Sequence, residues 1–175
     1  MNPDAPVAGV VQPAGLPLAV AARWTGAACW VEPRLHEVLS TWCRDEPDPA
    51  ALVRWWTLRA ARAEVAEAWH RRLPELAEMP RPGFVAPGRP EVDGLLARLE
   101  RLGPDEGRVH ALAAVLEALA GGYAERAGVA VGPADGPTAD TLSRAVDVTR
   151  ADLVHLGGPV DDGWERAVAE VGGLP

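Results

Sequence analysis

The sequence predicts an all-α protein, and three observations lead to this prediction. Ala, Leu, Val, Arg and Glu dominate the 175 residues, whereas Phe and Tyr occur once each. Apolar residues recur at three- and four-residue spacing over several long stretches, which is the period of a helix buried on one face. Segments rich in Pro and Gly separate these stretches, and no pair of stretches alternates as paired strands do. A chain of this length is expected to form one domain with its own core.

The first predicted element is a helix from about Leu18 to Cys43, preceded by a flexible arm at 1–17. The arm is rich in Pro, Ala, Gly and Val, a composition typical of disordered termini. Pro33 removes a backbone donor within the helix and is expected to kink it. The predicted apolar stripe of this helix is Val20, Trp24, Ala27, Val31, Leu35, Val38 and Trp42.

The second helix is predicted from about Pro49 to Leu73. Asp48 is a good N-cap residue, Pro49 suits the first helical position, and Pro74 ends or bends the helix. The connection to the first helix is therefore short, which makes the two helices antiparallel neighbours. The predicted apolar stripe is Leu52, Trp55, Trp56, Ala63, Ala66 and Leu73.

The middle of the chain predicts an irregular crossing followed by two more helices. Pro and Gly at 79–90 exclude a long helix there, and a short amphipathic helix is expected at about 91–102. A third long helix is predicted from the turn at 104–106 to about Ala127. Its stripe is Val109, Leu112, Leu116, Leu119 and Tyr123.

A fourth long helix is predicted at about 138–156, where Gly157 follows it as a stop signal. Asp161 or Asp162 is expected to cap a last short helix that ends near Val171. Two pairs of long helices joined by one long connection describe a ferritin-like four-helix bundle. The bundle would span 18–156, and 157–175 would hold the short C-terminal helix.

Glu67 and His70 form a Glu-x-x-His motif on the second predicted helix. Residues three apart share a helical face, and this motif binds metal in di-iron carboxylate bundles. Both side chains fall on or near the predicted stripe, so we expect them to face inward. Because Glu32 flanks the stripe of the first helix, Glu32, Glu67 and His70 are the candidate catalytic residues and metal ligands. A buried structural hydrogen-bond pair is the main alternative for Glu67 and His70.

The other two long helices supply a weaker set of ligands. Asp152 and His155 repeat the spacing of the motif, but they lie toward the edge of their stripe, so capping and surface contact are favoured for them. Glu117 and Glu125 are expected to face outward, which leaves Tyr123 as the inward polar group of the third long helix. If a metal binds, we therefore expect one iron, manganese or zinc ion, and a full di-iron site is not expected.

The seven tryptophans are an unusual number for this length. Packing in a core and in a homodimer explains them most simply, but they could instead line an apolar pocket for a small-molecule ligand. In the pocket interpretation, Trp56, Arg59 and Tyr123 are expected among the lining residues. The tryptophans on the first two helices are Trp24, Trp30, Trp42, Trp55, Trp56 and Trp69.

Charge and cysteine content argue against several classes of protein. A net charge of −8 without a basic stripe disfavours nucleic acids and anionic membranes as partners. Cys29 and Cys43 lack zinc-site spacing and lie too far apart on one helix to bridge each other, so they predict reduced thiols in a cytoplasmic protein. An export signal, a membrane span, a phosphate loop and a dinucleotide fingerprint are not expected.

Two stretches resemble a family of uncharacterised actinobacterial proteins that are classed as ferritin-like. They are CWVEPRLHEVL at 29–39 and AWHRRLP at 68–74. The resemblance extends over about 23–156 and implies the four-helix bundle fold without implying an activity.

The second helix departs from the pattern of that family. Its members tend to carry several histidines there, whereas this chain has Arg62 and Val65 in the corresponding region. Glu67 matches the family, and His70 is particular to this chain. The departure argues against an inherited metal site.

Three hypotheses of function follow from these features. The first is a ferritin-like bundle that binds or converts a small apolar or aromatic molecule, as in specialised metabolism, with a Glu/His site between the first two helices. The second is a non-enzymatic dimeric bundle in which the same polar residues form a structural network. The third is a degenerate di-iron oxidase, which requires a carboxylate of the third long helix close to Glu67.

Overall fold

The computed structural model describes residues 17–75, 80–104, 107–130, 135–158 and 162–175. Over these ranges the regular structure is entirely helical, with no strand, which confirms the predicted all-α class. None of the described helices has both the length and the apolar character that a membrane span requires. The helices are α1 (Leu18–Asp45), α2 (Pro49–Arg72), α3 (Pro90–Glu100), α4 (Arg108–Val129), α5 (Gly136–Leu156) and α6 (Asp162–Glu170), with a 3₁₀ turn at Arg81–Gly83.

The predicted helices lie within a few residues of the observed ones, because their ends carry clear local signals. The Asp48 carboxylate accepts hydrogen bonds from Ala50 N at 3.2 Å and Ala51 N at 3.1 Å, as expected of an N-cap. Gly157 follows α5 in the left-handed conformation with φ of 65°, which favours glycine. Residues 1–16 of the predicted arm at 1–17 and the capping residue Asp161 lie outside the described residues.

Four long helices form the body of the protein. α1 pairs with α2, α4 pairs with α5, and α2 packs against α5. The backbones of α1 and α4 stay further apart, and large side chains span the seam between them; the ring centroids of Trp24 and Tyr123 are 6.1 Å apart. α3 packs on α1 and α4, and α6 packs on α4. The short helices therefore flank the wide seam.

The segment between α2 and α3 lies against α1 at a glycine. A Cβ atom at Gly26 would overlap the carbonyl oxygen of Phe84, so only glycine permits this approach of the two backbones. The position of the segment between α2 and α3 therefore depends on glycine at position 26.

The inward face of α2 differs from the predicted stripe. Trp56 is 51% exposed and Ala63 is also exposed, so the part of the prediction that placed them inward is wrong. Alanine and other apolar residues occur around much of this helix, and the spacing alone does not select a face. The buried residues of α2 are Trp55, Leu58, Arg62, Val65 and Trp69.

Candidate functional site

A buried polar network joins α1, α2, α4 and α5. The Arg62 guanidinium donates from Nη2 to Asp152 Oδ2 at 2.5 Å and from Nη1 to Thr149 Oγ1 at 3.1 Å. Arg62 Nη1 also donates to Glu32 Oε2 at 3.3 Å. The Tyr123 hydroxyl donates to Glu32 Oε1 at 2.6 Å. All five side chains are buried, so each of the four long helices contributes to one interior cluster.

The network contains two carboxyl groups, Glu32 and Asp152, but only one guanidinium, Arg62. This imbalance of charge affects the pKa values of both carboxyl groups. Burial raises the pKa of Glu32, although Arg62 and the Tyr123 hydroxyl oppose the shift. Burial likewise raises the pKa of Asp152 against the influence of Arg62. The pKa of Tyr123 is raised by its burial and by Glu32, so Tyr123 remains a donor. The cluster therefore favours the uptake of one proton by its carboxyl groups.

Two buried donors near this network lack partners. Arg62 Nε and Trp69 Nε1 make no hydrogen bond to any residue in the described part of the chain. The Trp69 indole lies near the Tyr123 hydroxyl without the geometry of a hydrogen bond. An unpaired buried donor costs about 1–3 kcal/mol, so the interior retains unused hydrogen-bonding capacity.

The structure does not bring the predicted Glu-x-x-His site together. Glu67 and His70 are exposed on α2, and Glu67 forms an ion pair with Arg71 at 2.5 Å. The prediction that both face inward is wrong, because Val65 and Trp69 occupy the inner face instead. Among the described residues, no group of three or more His, Cys, Asp and Glu is placed to hold a metal ion. The predicted ligand set with Glu32 is therefore not assembled.

For the other long helices, the structure confirms some of the predictions and contradicts one. Glu117 and Glu125 are exposed, as predicted, so neither approaches Glu67 as the degenerate di-iron oxidase requires. Tyr123 faces inward, also as predicted. His155 is exposed, but Asp152 is buried, so surface contact was the wrong interpretation of Asp152. Its partner Arg62 is far away in sequence, and the spacing on α5 alone does not reveal it.

The predicted pocket of Trp56, Arg59 and Tyr123 is not formed. The Arg59 guanidinium lies 4.1 Å from the ring centroid of Trp56 on the exposed side of α2. Tyr123 is buried in the interior. The pocket prediction followed from the wrong face of α2.

Both cysteines are free, as predicted. Cys29 is buried, and burial raises the pKa of its thiol to about 12. Cys43 is half-buried, and its pKa is also raised, chiefly by burial. Since the thiolate is the reactive form, neither side chain is prepared for nucleophilic chemistry.

An open cleft of about 630 Å³ lies along the seam between α1 and α4. Its walls come from α1, the segment before α3, the first turn of α3, the end of α4 and the residues after α6. Ligand pockets typically have volumes of about 300–1,000 Å³ and apolar linings with a few polar groups. The apolar lining includes Trp24, Ala27, Phe84, Val92 and Leu174, and the charged lining is Arg23, Arg89 and Arg126.

Trp24 connects this cleft to the buried network. Its ring centroid lies 5.1 Å from that of Trp69 and 6.1 Å from that of Tyr123, in edge-to-face arrangements. Tyr123 in turn donates to Glu32. The wall of the cleft therefore packs directly on the groups that hold the network in place.

Several cleft residues were missed in the sequence. Phe84 is the only Phe, and its position within a segment rich in Pro and Gly was the available signal. Arg89 and Arg126 lie on separate elements, and only the fold brings them to one cleft.

Comparison of the chain with protein-family models, with curated proteins and with solved structures found no match. The buried network and the cleft are therefore the features of the molecule from which its function can be inferred.

Proposed function

We propose that the protein is a ferritin-like helical bundle that binds a small molecule with an apolar or aromatic body in the cleft between α1 and α4. The observation that carries the proposal is the cleft itself, with its volume of about 630 Å³ and its lining of Trp24, Phe84 and Leu174. Aromatic and aliphatic walls of this kind favour ligands that lose apolar surface to water on binding.

The arrangement of the long helices supports the ferritin-like part of the proposal. α1 and α2 are joined by a short connection at 46–48, and α4 and α5 form the second pair. One long connection, which includes α3, links the two pairs. This order of a pair, a long crossing and a second pair is typical of ferritin-like bundles.

The proposal is limited to binding because of what lines the cleft. A general acid or base must reach the reacting atoms by a hydrogen bond or through one water. Among the described residues that line the cleft there is no Asp, Glu or His. Glu32 and Tyr123 lie on the side of Trp24 that faces away from the cleft, and the Tyr123 hydroxyl already donates a hydrogen bond to Glu32.

The test uses N-phenyl-1-naphthylamine, a neutral aromatic probe whose fluorescence rises in apolar surroundings. Gly83 lines the cleft, and a Cβ atom there meets nothing within 4 Å. A Gly83→Trp variant should therefore fold and fill part of the cleft. We expect its affinity for the probe to fall about tenfold or more, which corresponds to about 1.4 kcal/mol.

The matched control is Gly94→Trp. Gly94 lies on α3, is exposed, and also has nothing within 4 Å of an added Cβ. We expect this variant to bind the probe as the unmodified protein does. Equal binding by all three proteins, or no binding by any of them, would contradict the proposed function.

The outer face of α2 favours a second candidate, the homodimer. Val53 is 64% exposed and Trp56 is 51% exposed, and the exposed Ala60 and Ala63 continue the same side of the helix. Apolar residues concentrated on one exposed face are typical of protein interfaces. Light scattering should give the mass of a dimer for the unmodified protein and of a monomer for Trp56→Glu. Val154→Glu on α5, where the valine is 83% exposed, is the control that should not change the mass.

A further inference from the structure

Three arginines from three different elements line the same cleft. Arg23 belongs to α1, Arg89 directly precedes α3, and Arg126 lies in the last turn of α4. The described lining contains no acidic side chain, although acidic residues outnumber basic ones by 25 to 17 in the whole chain. The charged side chains that line the cleft are thus all positive, in a protein whose net charge is −8.

These arginines are not neutralised by the protein. Among the described residues, no carboxylate lies within ion-pairing distance of Arg23, Arg89 or Arg126. The arginines that do form ion pairs are Arg34, Arg62, Arg71, Arg81, Arg108 and Arg144.

Arg126 is the clearest case of an unpaired charge. Its guanidinium carbon lies 4.9 Å from the ring centroid of Trp24, so the ring holds the side chain beside the apolar wall. Burial lowers the pKa of Arg126, and the nearby charge of Glu125 opposes this shift only in part, because no carboxylate of the described residues is close enough to form an ion pair with the guanidinium. A ligand anion would supply the missing partner.

Arg89 is held in place by the backbone after α6. Its Nη1 donates to the carbonyl oxygen of Val171 at 3.1 Å. A Cβ atom at Gly172 would overlap Arg89 Nη1 where it now lies, and the φ of 78° at this position itself favours glycine. One guanidinium is therefore positioned at the cleft before any ligand arrives.

We infer that the ligand of this cleft is a small organic anion, with an apolar body against Trp24 and Phe84 and a carboxylate or phosphate that Arg23, Arg89 and Arg126 bind. This inference rests on the proposed function and specifies its ligand class. The forked guanidinium group matches both kinds of oxyanion. The volume of the cleft limits the size of the apolar body that it can hold.

The test compares two probes that share one ring system. 8-Anilinonaphthalene-1-sulfonate carries a negative charge, and N-phenyl-1-naphthylamine does not. At fixed ionic strength, we expect the anion to bind the full-length protein about 10- to 100-fold more tightly, which is the range for hydrogen bonds to charged groups. Arg126→Gln and Arg23→Gln should each remove much of this preference while leaving the neutral probe bound.

Arg101→Gln is the charge-matched control, because Arg101 is exposed at the end of α3 and does not line the cleft. It should keep the preference for the anion. Equal binding of both probes by the unmodified protein would overturn the inference and leave the proposed function standing. Failure of both probes to bind would overturn both.

Competition identifies the anionic group. Octanoate, octyl phosphate and octanol share one alkyl chain, and each can be titrated against the bound anionic probe. Stronger displacement by octanoate or by octyl phosphate assigns the carboxylate or the phosphate, respectively, and supports the inference. Displacement by octanol as strong as by either anion would contradict it.

Discussion

Arg62 of α2 and Asp152 of α5 form an ion pair at 2.5 Å inside the bundle, although 90 residues separate them in the sequence. The same guanidinium contacts Glu32 of α1, so one side chain links three long helices. A buried charge is costly unless it is paired and hydrogen-bonded. The position of Arg62 therefore depends on the correct assembly of all three helices.

Replacement of Arg62 by Met should be strongly destabilising. The variant leaves Glu32 and Asp152 buried without their cation, and breaking a buried pair in this way typically costs about 3–5 kcal/mol. Urea unfolding monitored by circular dichroism measures the loss. The control is Arg144→Met, since Arg144 forms an exposed ion pair with Glu64, and it should lose less than about 1 kcal/mol. Equal losses in the two variants would contradict the central position of Arg62.

The contribution of Glu32 to the free energy of unfolding should fall as the pH rises above about 4.5, the ordinary pKa of Glu32. Burial raises the pKa of Glu32 in the folded protein, so between the two values the folded state binds more protons than the unfolded state. The slope of stability against pH is then negative. This contribution is fully present below the unfolded pKa and is lost as the pH rises through the folded pKa.

Glu32→Gln isolates that contribution, because it keeps the shape of the side chain and an oxygen that can accept from Tyr123. As the pH rises above about 4.5, we expect the stability of this variant to fall less than that of the unmodified protein. The exposed Glu117→Gln variant should keep the original slope. The comparison is between variants because other groups act in the opposite direction, as at Glu100, whose pKa is lowered chiefly by its hydrogen bond from Arg34. Identical slopes in all three proteins would rule out the assignment to Glu32.

Tyr123→Phe should cost about 1–3 kcal/mol, because it removes the hydroxyl that donates to a buried carboxylate and keeps the ring. Tyr123 is the only tyrosine, so its ionisation can be followed by ultraviolet absorbance without interference from other tyrosines. Burial and Glu32 raise its pKa well above 10.0. We expect tyrosinate to form only together with unfolding at high pH. Titration near the ordinary value while the protein stays folded would show that Tyr123 is accessible.

Gly26→Ala should displace the segment that carries Phe84, because the added Cβ overlaps the Phe84 carbonyl oxygen. We expect a loss of about 1–3 kcal/mol in stability, as for other overpacked sites, and weaker binding of probes in the cleft. Gly94→Ala is the control in α3, where a Cβ meets nothing within 4 Å. That variant should be stabilised by about 0.5–1 kcal/mol, since alanine favours a helix over glycine.

The all-α class and the helix ends were predictable because their signals are local. Asp48 and Gly157 act through neighbouring backbone groups, and such contacts can be inferred from a short stretch of sequence. Glu32 and Tyr123 were also predictable as inward groups, because the buried Leu35 and Leu119 lie one helical turn away from them. The predicted stripe of α1 was wrong at Val20, which is 45% exposed.

The inward face of α2 was not predictable in the same way. Apolar spacing through Trp56 and Ala63 favoured a face that includes His70 over the face that includes Arg62, because alanine and other apolar residues lie on both faces. The anionic partners that make Arg62 tolerable inside come from α1 and α5. Placing Trp55, Leu58, Val65 and Trp69 on one stripe would have revealed Arg62 between them. The cleft could not be predicted from the sequence, because its walls come from separate elements that meet only through tertiary packing.

The binding cleft is the central claim, and fluorine NMR of protein labelled with 5-fluorotryptophan tests it most directly. The label gives one probe at each of the seven tryptophans. Trp24 lines the cleft, whereas Trp42 and Trp55 pack on each other at 5.1 Å in the core, and Trp56 is exposed on the outer face of α2. On addition of N-phenyl-1-naphthylamine, we predict that the Trp24 resonance, assigned with Trp24→Phe, shifts most. A shift confined to Trp56, or an unchanged Trp24 resonance with the probe bound, would contradict the account.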